Sequence, residues 1–282
     1  YSLGKINKGI KALVENGYLT HDMRLTQKSR KLFEERRPDN AIILAAGYGM
    51  RMVPINTEIP KGLLEIKGQP LIEHIIEQLH QVGVKKITVV VGFLKESYEY
   101  LIDKYNIELK INMDYSTKNN LYSLEKTYAQ LGNTYIIPCD VYCEENPFST
   151  KELYSWYMVT DQEKLSSDVK VNRKGELVRV KEGESGDDML GIAYITKSDG
   201  KIIRERLEKY CGDGLHKKSF WEEILYNNEK MLVSAKKVSH LSNYEINTFE
   251  QLRQADENSD NLKSEIMALI AKTFHTEQTS IK

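Results

Sequence analysis

The residues of this chain that are best suited to chemistry lie between positions 41 and 61. An apolar run over 41–45 leads into a loop of small residues, and two cations follow it. Small residues let backbone N–H groups approach a phosphate closely, and Arg or Lys neutralises its charge. The segment therefore predicts a seat for a nucleoside triphosphate. Its key members are Gly47, Gly49, Arg51 and Lys61.

Two common phosphate-binding patterns do not match this loop. The Walker pattern ends in Gly-Lys-Ser/Thr, and dinucleotide folds use Gly-x-Gly-x-x-Gly. The loop instead resembles the nucleotidyltransferase signature L-A-A/G-G-x-G-x-R followed by P-K. This resemblance implies that the loop binds the nucleotide, that Arg51 binds the leaving pyrophosphate and that Lys61 stabilises the transition state. The alternative for Lys61 is a solvated surface lysine. The matching residues are Leu44, Ala45, Ala46, Gly47, Gly49, Arg51, Pro60 and Lys61.

Strand and helix patterns alternate after the first apolar run. Strands are predicted at 41–45, 86–92, 109–112 and 134–139, and helices at 71–82, 98–105 and 121–131. This alternation indicates an α/β fold with a doubly wound, mainly parallel, Rossmann-like sheet. The glycine loop, Gly92 and Asp140 each follow the carboxyl end of a strand, which is where such sheets bind ligands. We therefore expect them to share one site.

The second half is predicted to be a smaller, mixed subregion that carries the acceptor pocket. Its pattern suggests strands at 168–171, 177–180, 191–195 and 231–237, and helices at 202–210 and 219–226. Trp156 lies in an apparently helical apolar setting and is predicted to be a core residue. Further helices are predicted at 248–257 and 262–274.

Two residues are candidates for a magnesium site. Asp140 ends an apolar strand on the same sheet edge as the glycine loop, and Mg²⁺ prefers carboxylate and phosphate oxygens. The alternative for Asp140 is a helix cap or a surface residue. In the families that this chain resembles, the position of Asn247 commonly holds an Asp that completes the metal site. Asn is a weaker ligand, so metal binding would weaken or pass to Glu245. Alternatively, Asn247 is the N-cap of the following helix.

Three further segments, at 89–101, 114–124 and 244–248, extend the resemblance over roughly residues 41–255. Together they resemble bacterial LicC-type CTP:phosphocholine cytidylyltransferases. The adjacent amides Asn119 and Asn120 could read a pyrimidine or cap a helix, and Ser123 joins them as a predicted nucleotide contact. A quaternary ammonium needs aromatic and acidic neighbours. The predicted acceptor pocket comprises Asp168, Tyr194, Trp221, Glu222, Tyr244 and Glu245.

The chain departs from this family at 166–170, where an acidic residue and a Trp are expected and only Asp168 is present. The leading hypothesis is CMP transfer from CTP to phosphocholine with Mg²⁺. One alternative acceptor is 2-aminoethylphosphonate or phosphoethanolamine, and another is a sugar 1-phosphate. A different class is a winged-helix regulator that uses a nucleotidyltransferase-like domain as a sensor. For each aromatic residue, ordinary core packing is the alternative role.

Composition limits the other functional classes. The chain has 282 residues and a formal net charge of −1, so it carries no overall field for nucleic acid or anionic lipid. Three cysteines without a paired motif, together with the absence of a signal peptide or a membrane-spanning run, predict a cytoplasmic protein.

Residues 1–37 are predicted to form a separate basic unit, with nine Lys or Arg against four Asp or Glu. Its pattern resembles the second half of a winged-helix domain whose first helices would precede Tyr1. DNA binding is therefore a hypothesis, and a helical dimerisation arm is the alternative. The nucleotidyltransferase domain is predicted at 38–257. Residues 258–282 are predicted to be a helix and linker that lead to a choline-kinase-like domain.

Overall fold

A computed structural model describes residues 2–52, 55–256 and 265–277. One ten-stranded mixed sheet forms the centre of the molecule. Among the described helices, none is both long and apolar enough to cross a bilayer. The strands are β1 (Asn40–Ala45), β2 (Glu65–Ile66), β3 (Gln69–Pro70), β4 (Ile87–Val91), β5 (Glu108–Ile111), β6 (Thr134–Pro138), β7 (Val141–Cys143), β8 (Trp156–Lys164), β9 (Val169–Val171), β10 (Glu176–Arg179), β11 (Gly186–Ile195), β12 (Tyr226–Asn227), β13 (Lys230–Val238) and β14 (Asn243–Glu245). The α-helices are α1 (Leu3–Glu15), α2 (Gln27–Glu35), α3 (Leu71–Gln81), α4 (Tyr100–Tyr105), α5 (Asn120–Glu125), α6 (Lys197–Gly212), α7 (Phe249–Ala255) and α8 (Glu265–Thr273).

The first half of the sheet is parallel, with strand order β5-β4-β1-β6. Every residue of β1 and β4 is buried, as expected for strands covered on both faces. Ile43 packs with apolar residues of α3 and α4 on one face, whereas Ile42 packs with α5 and α6 on the other. The predicted doubly wound α/β architecture is therefore confirmed.

The second half of the sheet is mixed and departs from some local predictions. Strand β11 runs antiparallel to both β6 and β8, and β13 runs parallel to β8. Trp156 begins strand β8, so its predicted helical setting is wrong, although it is a core residue. The first five residues of β8 are all buried, and a short apolar run fits a buried strand as well as a helix. The predicted helix at 219–226 is a 3₁₀ turn over Trp221–Leu225.

The N-terminal unit consists of α1, an antiparallel bridge between Leu19 and Leu25, and α2. Thr26 caps α2 by accepting a hydrogen bond from the Ser29 backbone N–H. The unit joins the sheet domain through the Arg36 carbonyl, which accepts from the Glu152 backbone N–H at 2.9 Å. The helices occur where the sequence places them, while the winged-helix identity and DNA binding stay predictions.

The C-terminal helices α7 and α8 pack against the domain that contains the central sheet. Thr248 and Gln251 form a capping box at the start of α7. The Ile266 backbone N–H donates to a Glu58 carboxylate oxygen at 3.0 Å, and Ile270 of α8 packs against a buried cluster near the glycine loop. Residues 257–264 and 278–282 lie outside the described residues, and so does the proposed start of a linker. The domain boundaries and a following kinase-like domain stay predictions.

A buried carboxylate in this fold gives a stability prediction. Glu152 is 8% exposed and accepts hydrogen bonds from the Tyr135 hydroxyl at 2.8 Å and the Trp156 indole N–H at 2.9 Å. Glu152→Ala leaves the Trp156 indole N–H unpaired, whereas the Tyr135 hydroxyl keeps the Ser149 carbonyl oxygen at 3.1 Å, so we expect a loss of roughly 1–3 kcal/mol in the free energy of unfolding. Glu152→Gln keeps an acceptor oxygen and should lose less.

Urea denaturation measures this loss, and Glu208→Ala on an exposed part of α6 is the control. The control should lie within about 0.5 kcal/mol of wild type. A Glu152→Ala variant as stable as the control would contradict the structural role of this carboxylate.

Candidate active site

A cavity of about 810 Å³ lies beside the carboxyl ends of β1 and β6. The structure brings together all but three of the residues that the sequence nominated for the site. The nominated residues that line the cavity are Leu44, Ala45, Ala46, Gly47, Gly49, Arg51, Lys61, Asn119, Asn120, Ser123, Asp140, Asp168, Trp221, Glu222, Glu245 and Asn247.

A network centred on Lys61 connects distant parts of the chain in this cavity. The Lys61 ammonium donates to the side-chain amide oxygen (Oδ1) of Asn247 at 2.8 Å and forms an ion pair with Asp140. The Arg51 guanidinium donates to the same Asn247 oxygen at 2.6 Å. The Asn247 amide N–H in turn donates to Glu245. The side chains of Lys61 and Asp140 are only 11% and 14% exposed, so this cationic and anionic group is well shielded from water.

Backbone contacts hold the two ends of this network. The Asp140 carbonyl accepts from the Ile246 backbone N–H at 2.8 Å, which fixes the C-terminal segment to the end of β6. Strand β14 also pairs with β7 immediately before Ile246. The Asn247 backbone N–H donates to the Gln251 side chain at 2.7 Å, and Thr248 is the N-cap of α7. The alternative that Asn247 caps this helix is therefore wrong.

The glycine loop lies against the other wall of the network. Gly49 has a φ of +63°, a conformation that favours glycine. A Cβ atom at this position would lie 3.5 Å from the Lys61 side chain. Gly92 packs closely against the backbone of the loop, because a Cβ atom at position 92 would lie only 2.8 Å from the Ala46 carbonyl oxygen. Gly92 thus permits close backbone packing but does not line the cavity.

The oxygen atoms of the network suit a hard divalent cation. One carboxylate oxygen of Asp140 is buried and has no hydrogen-bond partner. Burial, and then the neighbouring Asp140 carboxylate, raise the pKa of Glu245 above its ordinary value. Within the described ranges, no cluster of three or more His, Cys, Asp or Glu could hold a metal ion. Mg²⁺ commonly uses one or two carboxylates and completes its shell with water and substrate phosphate. The residues present therefore fit Mg²⁺ that binds together with a nucleotide.

A second group of cavity residues forms an acidic wall, defined here as Asp168, Trp221, Glu222, Glu223 and Tyr226. One Glu222 oxygen accepts from the Tyr157 hydroxyl at 3.1 Å, while the other is buried without a partner. Burial raises the pKa of Glu222 to about 7. The Arg179 guanidinium lies 3.6 Å from the Tyr226 ring centroid and 3.0 Å from a Glu223 carboxylate oxygen. Of the acidic residues in the wall, only Glu223 has a cationic partner among the described ion pairs, although Lys217 and Lys218 also line the cavity.

The cavity has the composition expected of a site that binds a nucleotide beside a cationic group, and comparisons with known proteins agree. Residues 41–154 match the family model of the MobA-like NTP transferase domain. The chain is 30% identical over 231 residues to the choline-phosphate cytidylyltransferase of Streptococcus pneumoniae, over 77% of this chain and 96% of that relative. It belongs to this family of nucleotidyltransferases.

Two further comparisons agree with the assignment. The chain is 33% identical over 198 residues to the 2-aminoethylphosphonate cytidylyltransferase of Lancefieldella rimae, over 67% of this chain and 80% of the relative. A solved structure of the CTP:phosphocholine cytidylyltransferase from Streptococcus pneumoniae has a TM-score of 0.71 at 28% identity, covering 78% of this chain and 98% of the other. This chain is therefore a cytidylyltransferase by family.

Two aromatic residues that were predicted for the acceptor pocket of this cytidylyltransferase lie elsewhere. Tyr194 is 0% exposed in the core, where its ring centroid lies 5.1 Å from that of Tyr135. Tyr244 on β14 packs instead beside Tyr142, with the two ring centroids 5.6 Å apart. The pattern of aromatic residues did not distinguish core packing from a pocket. Tyr194 is a core residue, and Tyr244 packs, partly buried, against a neighbouring apolar cluster.

The two adjacent amides of the cytidylyltransferase brace the cavity wall as well as line it. The side-chain oxygen of Asn120 accepts from the Trp221 backbone N–H at 2.8 Å, and the side-chain amide of Asn119 donates to the Lys218 backbone carbonyl at 3.0 Å. Asn119 also caps α5. These contacts fix the segment that carries Trp221 and Glu222 to the start of α5, while a base-reading role stays a prediction.

Sequence reasoning missed Arg179 and Tyr226, which complete the acidic wall. Arg179 ends β10 and reaches Tyr226 only because β10 and β12 both pair with β13. This arrangement depends on the order of antiparallel strands, and no local motif in the sequence signals it.

Glu222 gives a prediction about pH. Its folded-state pKa of about 7 exceeds the ordinary value of 4.5, so the folded state retains a proton that the unfolded chain releases within this window. The stability of the wild type should fall as pH rises from 4.5 towards 7, whereas Glu222→Gln removes this contribution. The variant should therefore gain roughly 1–2 kcal/mol relative to wild type across the window, after allowance for partial exposure.

Chemical denaturation at a series of pH values tests this prediction. Glu208→Gln, on an exposed surface, is the matched control and should follow the wild type. A constant difference between Glu222→Gln and wild type at every pH would contradict a buried, protonated Glu222.

Proposed function

We propose that this cytidylyltransferase transfers CMP from CTP to the phosphate or phosphonate group of a small amine-bearing acceptor. The observation that carries the proposal is the Lys61, Arg51 and Asp140 network in the same cavity as the acidic wall. The relative from Streptococcus pneumoniae makes phosphocholine the first candidate acceptor, with CDP-choline and pyrophosphate as products. CTP and a small amino-alcohol phosphate are then the partners of the site.

The proposed reaction needs no separate general base. An anionic oxygen of the acceptor attacks the α-phosphorus of CTP, and the bond from that phosphorus to the bridging oxygen of the β-phosphate breaks. Pyrophosphate leaves with the bond electrons. Because the attacker is already an anion, positioning and charge neutralisation carry the catalysis. Lys61 stabilises the charge at the reacting phosphate, and Arg51 holds the leaving pyrophosphate.

Asp140 and Glu245 are the carboxylates proposed to hold Mg²⁺, with Asn247 as a candidate neutral ligand. When bound, the ion would neutralise phosphate charge and orient the triphosphate. The Asn247 oxygen already accepts from Arg51 and Lys61, so it becomes a ligand only if one of these donors moves. Lys61 in turn is proposed to turn from Asp140 to the nucleotide phosphates.

A second acceptor has independent support. The relative from Lancefieldella rimae is named for 2-aminoethylphosphonate, and residues 166–170 of this chain lack the Trp expected for a choline pocket. Phosphoethanolamine shares the same primary amine. In this proposal the reaction takes place in the cytoplasm, where CTP is available and where the three free cysteines stay reduced.

Removal of one carboxylate charge tests the proposed reaction. Asp140→Asn keeps the shape of the side chain but loses its charge, so we expect kcat to fall by roughly 100-fold or more. The assay is pyrophosphate release with CTP, Mg²⁺ and each candidate acceptor. The control is Glu144→Gln, which changes an exposed carboxylate that pairs with Lys67 at 3.3 Å and should leave kcat unchanged.

Two results would overturn the proposal. One is an Asp140→Asn variant that retains more than about a third of the wild-type rate. The other is a wild-type protein that releases no pyrophosphate with any amine-bearing phosphate or phosphonate.

A further inference from the structure

The acidic wall holds polar atoms that have no partner within the protein. Within the described part of the chain, only six buried side-chain polar atoms lack a hydrogen bond. Three of these belong to residues that line the cavity, namely Asp140, Glu222 and Tyr226. Asp140 belongs to the proposed metal site. The Glu222 carboxylate oxygen and the Tyr226 hydroxyl belong to the acidic wall, so a metal ion at Asp140 would not satisfy them.

The aromatic surface of this wall is already occupied. The face of Tyr226 carries the Arg179 guanidinium at 3.6 Å, so a second cation cannot bind that face. Trp221 is 1% exposed, and its ring centroid lies 6.0 Å from that of Tyr157 within the core. A quaternary ammonium is bound mainly through open aromatic faces. Within the acidic wall, neither Trp221 nor Tyr226 offers such a face to a trimethylammonium group; the exposed ring of Phe220 lines the cavity but is not part of the wall.

The unpaired acidic groups of the wall nevertheless suit a cation. Arg179 is paired with Glu223, which leaves Asp168 and Glu222 without a cationic partner among the described contacts. A primary ammonium has three N–H donors, whereas a quaternary ammonium has none. A primary ammonium can therefore satisfy the free Glu222 oxygen and the Tyr226 hydroxyl, whereas trimethylammonium would bury both unsatisfied.

We infer that the acceptor of this enzyme carries a primary ammonium, and that Glu222 and Tyr226 determine the preference for it over a quaternary ammonium. The inference rests on the proposed function and specifies its acceptor. The acceptor class is a short alkyl chain with a primary amine at one end and a phosphate or phosphonate at the other. Phosphoethanolamine and 2-aminoethylphosphonate both belong to this class.

The test is a methylation series on the unmodified protein. The acceptors are phosphoethanolamine, its N-methyl and N,N-dimethyl derivatives, and phosphocholine, with 2-aminoethylphosphonate assayed in parallel. With CTP and Mg²⁺, kcat/KM should fall with methylation, by roughly 100-fold or more from the primary to the quaternary amine. Comparison of phosphoethanolamine with 2-aminoethylphosphonate distinguishes a phosphate acceptor from a phosphonate.

Variants assign the preference to residues. Glu222→Gln and Tyr226→Phe should lower kcat/KM for the preferred primary amine by roughly 10-fold or more while changing phosphocholine turnover much less. Tyr128→Phe, on an exposed surface, is the control and should change neither value.

The possible failures are distinguishable. Phosphocholine turnover equal to or faster than that of both primary amines would overturn this inference and leave the proposed function intact. Equal losses for all acceptors in Glu222→Gln would overturn the assigned role of Glu222. Turnover with none of the acceptors would overturn the proposed function and, with it, this inference.

Discussion

The placement of one buried ammonium group organises the active site. Lys61 lies between Asp140, at the end of a central strand, and Asn247, near the C-terminal end of the domain. A lysine that is so poorly exposed needs anionic and polar partners, because a buried charge without them is strongly unfavourable. The fold supplies these partners from two separate segments. The same network also brings Arg51 to the cavity through the shared oxygen of Asn247.

The sheet explains how residues distant in sequence reach one place. The parallel strands β1 and β6 end side by side, so the glycine loop and Asp140 lie at one edge. The short pairing of β14 with β7 then brings Glu245 and Asn247 to that edge. The mixed second half contributes the acidic wall, with Tyr226 and Arg179 brought together through β13. The glycine loop and the acidic wall are thus positioned by the two halves of one sheet.

The sequence was most informative where a function imposes a local pattern. The run from Leu44 to Arg51 combines a buried strand with small residues and a cation, so the loop that lines the cavity and the α/β fold could be predicted from it, while nucleotide binding by the loop stays a prediction. Residues whose placement depends on strand order were harder to predict. Arg179 and Tyr226 meet only through antiparallel pairing, and Trp156 sits in an apolar run that is compatible with either helix or strand. Tyr194 is aromatic, as an acceptor pocket for a quaternary ammonium would require, but it is buried in the core instead.

Asn247 shows why a position in a motif does not define a role. Its carbonyl oxygen accepts from two cations, and its amide donates to Glu245. An Asp at this position could not donate to Glu245 and would place two carboxylates in contact. The amide therefore allows Glu245 to remain beside Asp140 in a crowded anionic site. In this chain the neutral Asn247 therefore has hydrogen-bond partners for both ends of its amide, at a position where the relatives are expected to carry a charged Asp.

The most direct test of the account is a crystal structure with Mg²⁺ and a CTP analogue in which a methylene group replaces the oxygen between the α- and β-phosphates. We expect the triphosphate to lie against the backbone of residues 46–51 and the metal to bind Asp140. The Lys61 ammonium should have turned from Asp140 to the phosphates. A nucleotide bound outside this cavity, or an intact Lys61–Asp140 ion pair beside a bound triphosphate, would contradict the account.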